Sequence, residues 1–458
     1  MAFSTPRNRW SRDLLVLALA LIGAASMSYY YLGLFIPRSF AVHAANHQAG
    51  GISFGNDFYQ IWIASRQWLY ERRDPYSPEL TRKIQIELYG HPVDPRRAGD
   101  PKDLRMFPYP AFAEIFFWPT GLFPFALVRL AVLCLLAPLT AATIILWMRA
   151  LSWHLDWKGL TVLLLLVLCS YPAFEAFYAV QAGLLVGFLF AASMFSLRQG
   201  RLLQSGVFLG LTIIKPQVTA LAILYLLVWT IHDWRRRGRF CTGFFTTVFS
   251  LVGGALIVWP HWISSWLHVV ILYHGYAGHP LVEELFTTPL GARAAGVPTL
   301  VTTAVLTAFA LLLIWQNRAA ATNSLSFWRT LSILLGITAI ALLPGQALYD
   351  HGILLPGVFL LFMSRQELSS SRISKILMYI GVAVLLWPWF ASFGLILLRP
   401  LLTQEQFYSK AIFALPLRTA AVFPFMVLGM LLLVGRSRQS LVEAAPAGAS
   451  SLISEGTP

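Results

Sequence analysis

The stretch Gly50–Tyr76, GGISFGNDFYQIWIASRQWLYERRDPY, is the first polar segment after an apolar run long enough to cross a membrane. Phe58, Ile61, Trp62, Trp68 and Leu69 fall near one side of a 3.6-residue repeat, with Gln60, Arg66, Gln67 and Glu71 interleaved. A helix of that pattern is expected to lie along a membrane surface rather than across it. Asp57 opens it. As a structural residue Asp57 is an N-cap, and Gln60 three positions later completes a capping-box pattern. As a functional residue it is an acid held at the bilayer edge.

Outward from that stretch, the chain is apolar almost throughout. Of 458 residues 57% are hydrophobic and 12% charged, with a mean hydropathy of +0.66, against roughly 25% charged in soluble domains. A water-soluble fold is excluded. The net charge of +14 does not point to nucleic acid, because the basic residues cluster in short loops between apolar runs. There they set orientation and meet anionic membrane lipids. Cys134, Cys169 and Cys241 lie in or beside apolar runs and read as small packing residues. No Walker-type loop, zinc-site spacing or nucleophile elbow occurs, so nucleotide and metal-dependent hydrolysis lose support, and no cofactor is expected.

The apolar runs predict an all-α, polytopic membrane protein. A first span near 14–36 follows Arg7, Arg9 and Arg12. The tail Ala41-Val42-His43-Ala44 faintly resembles a signal-peptidase site, but the run exceeds the roughly 7–15 residues of a signal core, so the span is read as retained. The polar segment 37–108 holds the helix after Asp57, a turn at Asp74-Pro75-Tyr76, and a second helix. That helix has Ser77 as cap, Pro78 at its first position, and Leu80, Ile84 and Leu88 as a stripe. His91 to Lys102 reads as loop. Further spans are expected near 122–148, 159–171, 179–197, 202–214, 217–232, 240–260, 297–316, 327–344, 352–364, 374–397 and 413–434. That makes about twelve in all at roughly 20 residues each. Those at 159–171, 202–214 and 352–364 are short, so ten or eleven full crossings remain an option. One domain is expected over 1–438, with a disordered cytoplasmic tail over 439–458.

Charge alternation supplies an orientation. With the N-terminus inside, inner loops carry Arg149 and Lys158, Arg198 and Arg201, Arg235 to Arg239, Arg318 and Arg329, Arg365 to Lys375, and Arg436 and Arg438. Outer short loops carry chiefly Arg293, Arg399 and Lys410. Both termini are then cytoplasmic. Asp57, Tyr109, Glu175, Gln181, Lys215, His274, Glu283, Glu284, Asp350 and His351 all fall on or near the outer side.

Two of these stand out. Lys215, in Thr212-Ile-Ile-Lys215-Pro216-Gln217, sits between two short apolar runs, where a central Lys costs about 2.5–3.5 kcal/mol on insertion scales. Either it snorkels at a span end, or it presents an ammonium to an anion such as phosphate at a helical hairpin tip. His351 follows Asp350; either Asp350 caps the next helix, or His351 donates to a phosphate or carries a proton. Glu283 and Glu284 read as a solvated pair.

The series Asn56-Asp57-Phe58-Tyr59, Asp74-Pro75-Tyr76 and Phe107-Pro108-Tyr109-Pro110 resembles the N-terminal pattern of glycosyltransferase family 87, within the GT-C superfamily. Gln181-Ala-Gly-Leu-Leu, Gly206-Val-Phe-Leu-Gly210 through Lys215-Pro216, and the His351 entrance resemble its later landmarks, in order, over roughly residues 50–360. The resemblance implies transfer of a hexose, mannose above all, from a polyprenyl-phosphate donor to a lipid or glycan acceptor outside the plasma (inner) membrane. By the same resemblance Asp57 is the catalytic carboxylate, Lys215, His351, Tyr109 and Gln181 bind substrate, and the reaction inverts. The loop His91–Lys102 has no counterpart in that pattern, which leaves the acceptor open. Two other readings share these features: a transporter or lipid flippase, and a lipid-linked polysaccharide polymerase or ligase. Convergence of Asp57 and Lys215 on one outer cavity discriminates the enzyme from the transporter.

Overall fold

The computed structural model of the chain describes residues 6–45, 54–94, 96–97, 100–101, 103–276, 279–345, 347–368 and 372–443. Gly50 to Ser53, Lys102 and the tail from 444 lie outside the described residues. Among the described residues every regular element is helical, and the one β-type contact is an isolated bridge between Pro280 and Pro344.

The first apolar run forms α1 (Pro6–Ser28), which widens into a π-helical turn at Tyr29–Phe35 and continues through Ile36–Ala45. Then come α2 (Asn56–Glu71), α3 (Pro78–Tyr89), α4 (Phe112–Phe117) and α5 (Phe125–Ala150). α6 (Trp157–Leu168) and α7 (Tyr171–Ala179) are two arms bent by 53°. α8 (Gly183–Arg198), α9 (Leu202–Leu211), α10 (Pro216–His232) and α11 (Trp234–Val258) follow. α12 (Trp262–Tyr276), α13 (Leu281–Leu290), α14 (Ala292–Gln316) and α15 (Leu325–Ala341) lead to a 3-10 segment, Leu348–Leu354. α16 (Leu355–Met363), α17 (Arg372–Leu398) and α18 (Phe423–Glu443) complete the chain. α18 thus runs into the expected tail through Glu443.

Among the described residues, five helices are long and apolar enough to cross a membrane, or six if the bent α6–α7 pair counts as one span. The chain is a multi-pass membrane protein. The expected dozen is not reached by full-length helices, because the other apolar helices have only 10–17 residues. At 1.5 Å per residue, 17 residues reach roughly 26 Å, short of a hydrocarbon core of about 30 Å. One of them, α15, is sheltered by protein: almost every side chain from Phe327 to Ala341 is buried. α12 and α13, where an outer loop was expected, are helices whose local hydropathy is lowered by serines and histidines in α12 and by Glu283 and Glu284 in α13.

α3 forms as its sequence predicts. Ser77 Oγ accepts from the Leu80 amide at 3.3 Å, Pro78 is at N1, and Gly90 ends the helix at φ +80°. Leu80, Ile84 and Leu88 are buried.

α2 corrects two expectations. Its N-cap is Gly55, at φ +79°, and Asp57 lies in the first turn without capping it. Gly55 is suited to that left-handed position, and its amide donates to the Tyr178 carbonyl at 2.8 Å, tying α2 to α7. α2 is also not an amphipathic helix lying free on a membrane surface. Tyr59, Gln60, Ile63, Ala64, Ser65 and Gln67 are buried along with Phe58 and Ile61, since both of its faces meet protein.

Under α2, the Glu114 side chain of α4 is fully enclosed. Its Oε2 accepts from Ser65 Oγ at 2.8 Å, and its Oε1 has no partner. Burial raises this carboxyl well above its ordinary range, opposed by the hydrogen bond from Ser65.

α9 and α11 touch backbone to backbone. A Cβ on Gly206 would lie 2.1 Å from the Phe240 carbonyl oxygen, and one on Gly243 would lie 2.2 Å from that of Leu203. Small residues permit this approach.

Candidate active site

Asp57 is held where three segments meet. Its Oδ1 accepts from Arg105 Nη1 at 3.1 Å, and its Oδ2 accepts from Gln181 Nε2 at 2.5 Å. The other end of the Gln181 amide accepts from Tyr109 O–H at 3.4 Å. Three residues expected at the site, Asp57, Tyr109 and Gln181, therefore form one hydrogen-bonded chain. Gln181 and Tyr109 are buried, whereas the Asp57 side chain keeps 18% of its surface exposed. Burial and the Asp57 charge hold the Tyr109 hydroxyl well above its ordinary range. Burial works against the Arg105 charge, but Asp103 and Asp57 more than offset it and hold the guanidinium above its ordinary value.

Gln181 reaches Asp57 because the chain reverses abruptly after α7. Val180 sits at φ +52°, a position that a β-branched residue rarely adopts without support. The Gln181 amide donates back to the Ala176 carbonyl at 2.8 Å, which closes the turn. Two residues on, α8 starts at Gly183, and a Cβ there would meet Asp350 Oδ1 at 3.1 Å and Lys215 Nζ at 3.5 Å. One short turn thus touches both polar centres.

The second centre is an ion pair. Lys215 Nζ donates to both Asp350 oxygens, at 2.7 and 2.8 Å, and lies 4.7 Å from the centre of the Tyr349 ring. Both partners are buried, Lys215 at 7% exposure and Asp350 at 4%. Lys215 does not snorkel, and Asp350 does not serve as a cap. His351, also buried, shares a hydrogen bond of 2.7 Å between its Nδ1 and Tyr171 Oη. Asp350 and His351 line a cavity of about 440 Å³. Its wall also includes Val167, Leu163 and Gly159 of α6, with Trp153, Phe359 and Trp389.

Asp57 and Lys215 do not share that cavity wall; the Val180–Gly183 turn joins them instead. Glu175 accepts from Tyr31 O–H at 3.1 Å behind α7. Glu283 and Glu284 are apart from the site and are not a freely solvated pair. Glu283 meets His279 at 2.9 Å, and Glu284 packs against Gly345. The His274 side chain lies outside the described residues. Sequence reasoning missed Arg105, whose one signal was its position two residues before Phe107-Pro-Tyr-Pro.

Residues 107–344, more than half of the chain, match the family model of glycosyltransferase family 87. The chain belongs to glycosyltransferase family 87. It is accordingly a membrane glycosyltransferase, an enzyme that moves a sugar from a donor to an acceptor. No curated protein and no solved structure shows significant similarity to it. The matched segment of the family includes Tyr109, Gln181 and Lys215, while Asp57, Arg105, Asp350 and His351 stand outside it.

Proposed function

We propose that the protein transfers a hexose, mannose-like, from a polyprenyl-phosphate donor to a lipid or glycan acceptor at the outer face of the plasma membrane, with inversion. Residues 1–438 act as one catalytic domain, with both termini cytoplasmic. The observation that carries this reading is the carboxylate of Asp57. It is fixed by Arg105 and Gln181 yet still partly exposed, and a single turn links it to a lipid-sized apolar cavity headed by Asp350 and His351.

In this mechanism Asp57 takes the proton of the acceptor hydroxyl as that oxygen attacks the anomeric carbon. The bond from that carbon to the phosphate oxygen breaks, and polyprenyl phosphate leaves with the electron pair. The prenyl chain occupies the cavity along α6. His351 donates to the departing phosphate, and Lys215 contributes the N–H not spent on Asp350. Tyr109 and Gln181 bind through the sugar side and keep Asp57 in place.

The test uses purified protein in lipid with a panel of labelled polyprenyl-phosphate sugars. One of them should be consumed, and Asp57→Asn should lower its turnover by about 10²–10⁴ while donor binding persists. The amide keeps the shape and, since Gly55 is the cap, the helix. Near-normal turnover in that variant removes Asp57 from the chemistry.

A further inference from the structure

The guanidinium that meets Asp57 is carried on a turn built to hold it. Arg105 has a left-handed backbone, φ +48°, which persists in a non-glycine residue only where neighbours fix it. Asp103 Oδ1 accepts the Arg105 amide at 2.9 Å, and Asp103 Oδ2 pairs with Arg105 Nε at 2.9 Å. From α3, Gln85 Nε2 donates to the Leu104 carbonyl at 2.8 Å. Tyr89 O–H donates to the Asp103 carbonyl at 3.1 Å, and its oxygen accepts from Arg105 Nε at 3.2 Å. Gln85 and Tyr89 are four apart and present one helix face to the turn. All of these contacts leave Nη1 directed at Asp57.

The surroundings of Asp57 make that direction consequential. Its charge is felt by Glu175 of α7, by Tyr349 and Asp350 of the 3-10 segment, and by Tyr89 and Tyr109. These are acids and phenols, and the Lys215 charge is taken by Asp350. Among the described residues, Arg105 is the cation paired with Asp57.

We propose that Arg105 is a positioning residue for sugar transfer: it sets a positive charge beside Asp57 and fixes the carboxylate plane against Gln181, leaving a lone pair for the acceptor proton. The inference rests on Asp57 being the base. Without Arg105 the carboxylate keeps the Gln181 amide as its donor among acids and phenols, and loses the adjacent cation that favours its charged form.

The experiment is kcat/KM for sugar transfer against pH, in lipid, for the wild type, Arg105→Gln, Arg105→Lys and Arg97→Gln. Arg97 is an exposed residue of the same loop. Arg105→Gln should move the acid limb up by about one pH unit or more, roughly a tenfold loss below the limb, with rate recovering as pH rises. Arg105→Lys keeps the charge but cannot reach both Asp103 and Asp57. It should move the limb less in the same direction, and it carries the test alone if the glutamine variant does not fold. Arg97→Gln should superpose on the wild type. An equal loss at every pH with the limb unmoved overturns the proposal and makes Arg105 a peg for the loop. Full transfer by Asp57→Asn instead overturns the base reading, which separates the two failures.

Discussion

Lys215 is the residue whose surroundings change its reading most. A lone lysine among apolar runs suggests an unpaired ammonium awaiting an anion, yet both oxygens of Asp350 already occupy it. Removing one partner of a buried pair strands the other, at a cost of about 3–5 kcal/mol. Lys215→Met is therefore expected to lower the melting temperature sharply, which says nothing of donor binding. The informative variant is Lys215→Met with Asp350→Leu, which removes both charges and should restore the melt. If Lys215 also serves the donor phosphate, the double variant folds but transfers slowly. Transfer at the normal rate would leave the pair a purely structural one. Asp57 and Lys215 could each be singled out from sequence because an acid or an amine beside an apolar run requires a partner. The partners could not be read: Arg105 lies 48 residues from Asp57, and Asp350 lies 135 residues from Lys215. Only the folded chain brings them together.

At the scale of elements, local signals were reliable where they act within a few residues. Ser77 and Pro78 open α3 as expected, because capping is a local event, and Gly90 ends it in a left-handed turn. The orientation of α2 was not legible, since periodicity identifies an apolar face without saying whether protein or lipid covers it. The contact of α9 with α11 was visible only as glycines in an apolar run, and it carries a prediction. Gly206→Ala places a methyl against the Phe240 carbonyl, and overpacking of this kind costs about 1–3 kcal/mol or more. A clear drop in thermal stability is expected by fluorescence-detected size exclusion after heating. Gly253→Ala, on the same α11 but with open space around its Cβ position, should melt like the wild type. Equal melts for the two variants would mean that the close crossing is not maintained in the membrane.

For the whole molecule, hydropathy identified a helical membrane protein. Against its expected dozen spans the described residues hold five helices of full crossing length, or six with the bent pair, because shorter apolar helices also register as apolar runs. Orientation is the remaining global property, and it has a direct test. In a background with Cys134, Cys169 and Cys241 replaced, single cysteines at Arg97 and at Leu285 should react with an impermeant thiol reagent applied outside. A cysteine at Arg236, in the basic first turn of α11, should react only after permeabilisation. Labelling of position 236 from outside would invert the chain and move the proposed site to the other leaflet.

The wall beside the cavity has its own consequence. α6 has no fully buried residue along its length, yet Gly159, Leu163 and Val167 line the cavity. The cavity wall is apolar and is shared by α6, α16 and α17, all of them helices of the membrane part. The proposed lipid-borne donor, lodged there, would arrive sideways, by diffusion in two dimensions, without passing through water. The concentration that governs its capture is then its mole fraction among neighbouring lipids rather than its amount per volume. Diluting the donor with inert lipid slows such an enzyme even when nothing in the aqueous phase has changed.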